Sequence, residues 1–398
     1  MNELPAGWKR KALSDVADII LGQSPPGTSY NTEGRGVPFF QGKAEFGDLY
    51  PEIRKWTTAP KKLAKAGDVL ISVRAPVGPT NVAQVDCAVG RGLAALRVRN
   101  GMPTKYLLYA VRVSSLALAS KATGTTFSAI SGDQLKAHFV AVAPVDEQQR
   151  IVEAIEEQFS RLDAGIESLQ RAKRNLASLR ASILNTAANG SWEAVPIGDL
   201  AALEPRSITD GPFGSNLKTA HYTDEGPRVV RLQNIGDGRF VDDRAHISEE
   251  HFASLQNHSV EAGDVLIASL GKDLPRSCIA PDWLGRAIVK ADCIRFRPGP
   301  RVEGRFVSHM LNSRTIRHTV AEIIHGVGRP RLNLREIKAI RIPVPTVDVQ
   351  HRIVAEVDRQ FSIIDAMAKT IDAGLQRAGT LRQSILSQAF SGRLTGAA

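Results

Sequence analysis

The chain has 398 residues, of which 43% are hydrophobic, so it can form two domains or more and is not expected to be globally disordered. Its formal net charge of +10 at pH 7 favours a polyanionic partner, first of all nucleic acid, although a basic protein need not bind one. The three cysteines have no CxxC spacing, which argues against a disulfide framework or a zinc knuckle. The first residues lack the apolar segment of a signal peptide, and no apolar run is long enough to span a membrane. We therefore expect a cytoplasmic location.

Residues 1–143 are predicted to form a first mixed α/β domain. The segment AGDVLIS (residues 66–72) predicts a Gly-Asp turn followed by a buried strand, and LAALRVR (residues 93–99) predicts a second strand. A helix is expected near residues 104–118, followed by a glycine-centred loop at residues 121–131. This segment has the size of an ordinary domain.

Residues 144–190 predict one long helix. Apolar side chains recur mostly three and four positions apart, which is typical of a helix with one packed face. This stripe includes Phe159, Leu162, Ile166 and Leu169. Asp146 is a candidate N-cap, and Gly190 marks the expected end of the helix.

Residues 191–345 are predicted to form a second mixed α/β domain that repeats the first weakly. AGDVLIAS (residues 262–269) and CIRFRP (residues 293–298) correspond to the two strands named above. A helix is again expected, at residues 304–324, followed by a glycine-containing loop at residues 325–333. Between these segments the two domains diverge, so we expect one scaffold with two different surfaces.

Residues 346–398 repeat the first long helix closely. VDEQQRIVEAIEEQFSRLDA (residues 145–164) aligns without a gap with VDVQHRIVAEVDRQFSIIDA (residues 347–366), and the match resumes before Gly190 and Gly392. Gln148 and Arg150 of the first copy return as Gln350 and Arg352. The second apolar stripe includes Phe361, Ile364, Ile371 and Leu375.

Neither stripe can be buried by a lone helix. The economical solution is that the two helices pack on each other as an antiparallel coiled coil, with a pseudo-twofold relation between the halves. Such a pair would separate the two α/β domains and act as a spacer between them.

Signatures of catalysis are missing from the sequence. It contains no GxxxxGK[ST] loop, no GxGxxG between a strand and a helix, no HExxH and no GxSxG, and it lacks the catalytic motif of amino-methyltransferases. We therefore expect no catalytic site, no metal site and no bound cofactor in this chain.

Polar loop residues of both domains are candidates for DNA contacts, because Arg, Lys, Asn, Gln, Ser and Thr can bind phosphates and base edges. The same residue types also occur in loops for reasons of turn geometry alone. In the first domain the candidates are Ser24, Thr28, Gln41, Lys43, Arg74, Arg91, Thr125 and Ser128. In the second domain they are Ser215, Asn216, Lys218, Arg231, Gln233, Asn234, Lys272, Arg276, Arg329 and Arg331.

With its duplicated helix motifs, its opening LPAGWKRKALSDVADI (residues 4–19), the loop GQSP (residues 22–25) and the strand AGDVLIS, the chain resembles the specificity subunit of type I restriction-modification systems. The resemblance covers essentially the whole chain and is most specific in the helices. One departure is the lead into the first helix, AVAP (residues 141–144), where the family has Pro-x-Pro; the second copy keeps Pro343 and Pro345.

The resemblance implies that each α/β domain is a target recognition domain for one half of a bipartite, asymmetric DNA sequence. It implies that two methyltransferase subunits dock on the helical regions and supply S-adenosylmethionine chemistry. It also implies that restriction subunits, with ATP and Mg²⁺, join them for cleavage. Two alternatives stay open at this stage: a related restriction enzyme with its own catalytic site, and a coiled-coil scaffold that does not bind DNA.

Overall fold

A computed structural model describes residues 4–122, 128–324 and 330–394 of the chain. The chain divides into two compact units, of which the first comprises Met1–Leu169 with Ala373–Ala398 and the second comprises Gln170–Asp372. Each unit therefore contains one α/β domain and a part of both long helices. In the described part of the chain, no helix is both long enough and apolar enough to cross a membrane.

The elements of the first unit follow in chain order. They are β1 (Lys9–Ala12), α1 (Leu13–Val16), β2 (Ala17–Leu21), β3 (Tyr30–Asn31), β4 (Val37–Phe40), β5 (Trp56–Thr57), β6 (Leu63–Ala64), β7 (Val69–Ser72), β8 (Thr80–Val82), β9 (Cys87–Val89), β10 (Leu93–Val98), α2 (Thr104–Ala119), α3 (Gly132–Lys136), β11 (Phe139–Val142) and the beginning of α4 (Val145–Ala188). Its sheets have the strand orders β2-β10-β7-β8, β3-β5-β4-β9-β6 and β1-β11.

Strand β10 explains how the first domain is layered. Its residues alternate between two hydrophobic clusters: Ala94 and Leu96 face the cluster around helix α2, while Leu93 and Ala95 face the cluster around Phe40. Because both faces are covered at Leu93–Leu96, this part of the strand is a continuous apolar run without polar alternation. This is the sequence pattern from which the strand was predicted, and the domain is mixed α/β as expected.

The elements of the second unit follow the end of α4. They are β12 (Ala194–Pro196), β13 (Ile208–Asp210), β14 (Tyr222–Val230), β15 (His246–Ile247), α5 (Glu249–Ser254), β16 (Ser259–Val260), β17 (Val265–Ala268), β18 (Arg276–Ile279), β19 (Ala287–Val289), β20 (Cys293–Phe296), α6 (Gly304–Asn312), α7 (Arg314–Ala321), α8 (Leu334–Ala339), β21 (Arg341–Pro343) and the beginning of α9 (Val347–Ala389). Its sheets have the strand orders β13-β20-β17-β18, β15-β14-β19-β16 and β12-β21.

The two domains share one topology, so the duplication extends beyond the helices. Order β13-β20-β17-β18 corresponds to β2-β10-β7-β8, and the pair β12-β21 corresponds to β1-β11. In both domains a strand pairs in parallel with the strand that leads into the central one: β14 with β19, and β4 with β9. Sequence similarity is clear at β7 and β17, whose segments read VLIS and VLIA, and weak in most other strands.

One predicted helix is broken in the structure. The segment expected as a single helix at residues 304–324 forms α6 and α7, which meet at Ser313. The extended backbone of Ser313 ends α6, and its hydroxyl accepts a hydrogen bond from the Ile316 amide (3.3 Å), so it caps α7. In the first domain the corresponding helix α2 is continuous.

In the first unit, α4 and α9 pack antiparallel. Leu169 lies beside Gly374, and Asp163 forms an ion pair with Arg382, whose guanidinium lies 4.9 Å from the centre of the Phe159 ring. Residues farther along α4 therefore contact residues nearer the start of α9, as in an antiparallel pair.

In the second unit the same helices also pack antiparallel. Lys173 pairs with Asp372 and Arg180 with Asp365, both at 2.6 Å. Arg180 lies 4.0 Å from the centre of the Phe361 ring. Arg180, Asp365 and Phe361 correspond in the repeat to Arg382, Asp163 and Phe159 of the first unit. The same contact of an arginine with an aspartate and a phenylalanine ring therefore occurs in both units. The predicted antiparallel pairing and internal repeat are confirmed.

Candidate nucleic-acid interface

The predicted residues of the first domain meet at the loop between β9 and β10. The amide of Arg91 in this loop donates a hydrogen bond to the Ser24 hydroxyl (3.4 Å). The neighbouring Gly92 lies against the backbone of Gln41, because a Cβ added there would stand 2.4 Å from the Gln41 carbonyl oxygen. Ser24, Gln41 and Arg91 thus lie on one surface, which we call the first-domain loop cluster.

Gly22 brings the loop GQSP against this cluster. A Cβ on Gly22 would lie 2.1 Å from the Gly90 carbonyl oxygen, so only glycine allows the approach. The amide of the following residue, Gln23, donates to the Val89 carbonyl (2.9 Å), which holds the two loops together.

Arg74 and Ser128 lie at the adjoining strand end. The Val73 amide donates to the Gly92 carbonyl (2.9 Å), and Arg74 forms an isolated β-bridge with Ala129, the neighbour of Ser128. Arg74 and Arg91 are exposed, and neither forms an ion pair with any residue that the structure describes. Two uncompensated guanidinium groups therefore lie at the ends of neighbouring loops.

The remaining first-domain candidates are more peripheral or undescribed. Thr28 and Lys43 are exposed on single turns of 3-10 helix, at Gly27–Ser29 and Lys43–Glu45. Thr125 lies outside the described residues, as does Arg329 of the second domain.

The second domain brings the corresponding loops together. A Cβ on Gly211 would lie 2.1 Å from the Lys290 carbonyl carbon, so the loop that begins at Gly211 crosses the loop between β19 and β20 as closely as its counterpart does. The Ser269 amide donates to the Asp292 carbonyl (3.0 Å), and Leu270 forms a β-bridge with Arg331. Residues 290–292 therefore stand where residues 90–92 stand in the first domain.

Arg331 is held in place at this junction. Its guanidinium lies 2.9 Å from an Asp292 carboxylate oxygen and 5.7 Å from the centre of the Phe213 ring. Planar guanidinium groups stack on aromatic rings and form forked hydrogen bonds, so Arg331 is preoriented. The first domain has Ala129 at the equivalent position.

A cleft of about 690 Å³ opens beside this junction and is called here the second-domain cleft. Its walls are formed by Thr219, Tyr222, Thr223, Arg231, Leu232, Gln233, Arg244, Ala245, His246, Leu270, Lys290, Ala291 and Asp292. Arg231 and Gln233 were predicted from the sequence, whereas Tyr222, Arg244 and Lys290 were missed. Lys290 could have been found by aligning its loop with the predicted Gly90-Arg91-Gly92 loop.

Two arginines of the cleft pair with neighbouring acids, one of which is shared with Arg228. Arg231 lies 2.7 Å from Asp243, and Arg244 lies 3.2 Å from Asp242. Hydrogen bonds from Arg228, and to a smaller extent from Arg244, lower the pKa of the Asp242 carboxyl group. The ionised form of Asp242 is therefore favoured, and this carboxylate orients both arginines.

Asn234 does not present its side chain to a ligand. It is fully buried, its amide donates to the carbonyls of Val241 and Asp243 (both 2.8 Å), and its oxygen accepts from the Arg231 amide (2.8 Å). Asparagine can recognise adenine, but the side chain of Asn234 is used to stabilise a turn. Asn234 is therefore not part of the candidate interface.

The other second-domain candidates are distributed over two loops. Ser215 and Lys218 are exposed, and the Asn216 carbonyl accepts a hydrogen bond from His251 Nε2 (2.9 Å). Lys272 is exposed, and Arg276 donates to the Ile235 carbonyl (3.3 Å).

The repeated glutamines secure the start of each long helix. Gln148 is buried and donates to the Ala143 carbonyl (2.9 Å), and Gln350 is buried and donates to the Pro345 carbonyl (2.8 Å). Arg150 and Arg352 are exposed on the helices. Of the two stripes, Phe159, Phe361, Ile364 and Ile371 are buried and Leu162, Ile166, Leu169 and Leu375 are half-buried.

Groups that often act in catalysis are buried. Desolvation raises the pKa of the Cys87 and Cys278 thiols to about 12 and also raises that of Cys293. Burial lowers the pKa of His138 to about 4. Among the residues that the structure describes, no group of three or more side chains could hold a metal ion.

Two copies of one α/β domain, each with polar strand-end loops and each followed by a long helix, make this an internally duplicated α/β protein. In the comparisons that follow, the chain is similar to the specificity subunits of type I restriction-modification systems. A family model described as the type I restriction modification DNA specificity domain matches residues 5–174.

Two relatives are similar to this chain over different lengths. The putative type I restriction enzyme MjaX specificity subunit of Methanocaldococcus jannaschii is 35% identical over 193 residues, which are 48% of this chain and 44% of that protein. The chain thus spans less than half of that relative. The EcoBI specificity subunit of Escherichia coli is 21% identical over 98% of this chain and 86% of its own length.

Solved structures share the fold. A chain from a study of complex assembly and conformational transition of the type I R-M system has a TM-score of 0.75 and 19% identity, covering 99% of this chain and 100% of its own. The HsdS subunit from Thermoanaerobacter tengcongensis has a TM-score of 0.58 and 18% identity, covering 98% of each chain. The relatives named here are both specificity subunits.

Proposed function

We propose that this chain reads a bipartite, asymmetric double-stranded DNA sequence, with one half-site for each α/β domain. The observation that carries the proposal is the pair of equivalent strand-end loops, which have the same place in one topology but different polar residues. A shared scaffold with two different contact surfaces fits two different half-sites.

The chemistry of the two loops suits DNA in different ways. Arg74 and Arg91 are exposed and lack carboxylate partners among the described residues, as expected for side chains that bind guanine or phosphate. In the second domain Arg331 is paired with Asp292, and a carboxylate can accept a hydrogen bond from the cytosine amino group. Unlike surfaces predict unlike half-sites.

The partners in this proposal come from the family. Two methyltransferase subunits would dock on the helical regions, and restriction subunits would join them on the DNA. S-adenosylmethionine, ATP and Mg²⁺ would then bind to those subunits. The target adenine must leave the base stack for methylation, a task for the methyltransferase subunit. A cytoplasmic location belongs to the same proposal.

A methylation assay tests the proposal directly. The purified chain, alone and together with its cognate methyltransferase subunits, is incubated with genomic DNA and S-adenosylmethionine, and methylated positions are sequenced. We expect no methylation by the chain alone and methylation of one bipartite sequence by the complex. Methylation by the isolated chain would favour an enzyme with its own site, and a complex without any bipartite preference would favour a scaffold.

A domain exchange tests the division of labour. Residues 1–143 are replaced by the corresponding domain of a relative, and the methylated sequence is determined again. We expect one half-site to change and the other to stay. A change in both half-sites would contradict independent reading by the two domains.

A further inference from the structure

We propose that Lys290 and Tyr222 in the second-domain cleft form an anchor for one phosphodiester group of the DNA. The inference rests on the proposed DNA-reading function and adds two residues that the sequence did not indicate. It assigns them to holding the backbone and not to reading bases.

The charge balance of the cleft singles out Lys290. Arg231 and Arg244 are paired with Asp243 and Asp242, as described above. The Lys290 ammonium forms no ion pair with any residue in the described part of the chain. Its neighbour is the Tyr222 ring, whose centre lies 5.4 Å from Nζ. Arg228 also pairs with Asp242 (2.7 Å), so the two carboxylates do not balance the three arginines and the region carries excess positive charge. Lys290 adds a cation that has no carboxylate partner among the described residues.

Tyr222 supplies a second unsatisfied group. Its hydroxyl is buried and has no hydrogen-bond partner among the described residues. A buried polar group without a partner destabilises the protein, so an acceptor that reaches this hydroxyl from the cleft would be favoured. The ring lies beside the Lys290 ammonium, and Tyr222 is one of the residues that line the cleft.

The kind of group that fits follows from the available donors. Lys290 and the Tyr222 hydroxyl both offer protons, and the nearby Asp292 carboxylate already faces Arg331 at 2.9 Å. A phosphodiester oxygen only accepts hydrogen bonds, whereas every base edge in the major groove except that of guanine presents a donor or a methyl group. An ammonium beside a hydroxyl therefore matches phosphate better than a base.

The anchor is confined to the second domain. The Lys290 amide donates to the Val230 carbonyl (2.8 Å), as the Gly90 amide donates to the Phe40 carbonyl (2.8 Å) in the first domain. Gly90 therefore occupies the position of Lys290 and has no side chain. The close approach of Gly211 fixes the Lys290 main chain.

The test uses the complete complex and the bipartite target found by methylation sequencing. Affinities of wild type and Lys290→Ala are measured over a range of salt concentrations, on target and non-target DNA. A phosphate contact predicts weaker binding to both DNAs by a similar factor, of about three- to tenfold. It also predicts a loss of about one from the slope of log affinity against log salt. The methylated sequence should not change.

Three further variants make the test specific. Lys290→Arg should keep the salt slope, because it keeps the charge. Tyr222→Phe should weaken binding less than Lys290→Ala while leaving the slope unchanged, since it removes a hydroxyl only. Lys338→Ala removes an exposed lysine from α8 of the same domain as the control and should change neither quantity. Equal thermal melting of all variants establishes that they fold.

The outcomes separate this inference from the proposed function. If wild type binds its target and Lys290→Ala binds equally well with the same slope, the anchor is wrong and the proposed function stands. If Lys290→Ala changes which sequence is methylated, Lys290 reads a base and the anchor is again wrong. If the wild-type complex prefers no bipartite target, both proposals fail.

Discussion

The two α/β domains differ most where their topology is most alike. The loop that follows β9 contains Gly90, Arg91 and Gly92, while the loop that follows β19 contains Lys290, Ala291 and Asp292. Both loops are pinned by the same backbone hydrogen bonds and by the same close glycine contact. The comparison teaches that the main chain of these loops is alike in the two halves, whereas their side chains differ.

The two units also differ at the end of the long helices. Phe390, near the end of α9, packs against Trp8 and Tyr106 in the first unit, with ring centres 6.2 and 5.2 Å apart. The repeat places Ala188 at the equivalent position of the second unit, where Trp192 lines a groove of about 590 Å³. One unit is therefore filled with aromatic side chains where its counterpart is open.

The largest expected effect comes from removing this aromatic contact. Phe390→Ala should lower the free energy of unfolding of the first unit by about 3–5 kcal/mol, because a buried aromatic side chain leaves a cavity. Denaturant titration monitored by tryptophan fluorescence measures the change. Leu381→Ala, at an exposed position of the same helix, is the control and should have little effect. An unchanged midpoint for Phe390→Ala would contradict the packing described.

The second largest expected effect is a pH dependence of stability that the first unit has through His138. The buried His138 side chain has its pKa lowered from 6.5 to about 4, chiefly by desolvation. The unfolded chain therefore takes up a proton between these values, and the free energy of unfolding should fall by about 2–3 kcal/mol as pH drops from 6.5 towards 4. Above pH 6.5 this contribution is constant.

The second unit provides the matched replacement for His138. Ile340 occupies the equivalent position and is buried, so His138→Ile should remove this part of the acid sensitivity of the first unit. Thermal melting of both proteins between pH 4 and 7 measures the difference. If the two proteins lose stability in parallel, His138 is not the group responsible.

If each domain reads its own half-site, loss of one arginine should reduce base discrimination in one half-site only. Arg91→Ala should cost about 1–3 kcal/mol of discrimination at one position of the first half-site, as expected for a forked contact to a base. Competition binding with singly substituted targets measures this loss for the full complex. Relaxation at a position of the second half-site would contradict the assignment of Arg91 to the first.

The smallest expected effect concerns the ion pairs between the helices. Arg180 and Asp365 are partly exposed, so their coupling energy should be about 0.2–1 kcal/mol. A double-mutant cycle with Arg180→Ala and Asp365→Ala measures it, and the same cycle on Arg382 and Asp163 should give a similar value. A coupling well above this range in only one cycle would argue against equivalent contacts in the two units.

The long helices and the central strands could be predicted because they depend on local patterns. The stripe through Phe159 and Phe361 has helical spacing, and the run at Leu93 follows a glycine turn. The burial of Asn234 could not be predicted, because the sequence does not show that the carbonyl groups of residues 241 and 243 fold back onto its side chain. The break at Ser313 was missed because serine is compatible with a helix and with its cap.

Gly22 and Gly211 have a practical consequence for redesign. Each allows one backbone to cross another at a distance that no side chain tolerates, so these two positions should be invariant in any variant that retains the domain. Libraries with altered sequence preference would therefore randomise the segments that follow, residues 23–31 and 212–218, while both glycines are kept. Substitutions in these segments would change the side chains of the loops while the backbone contacts at Gly22 and Gly211 stay in place.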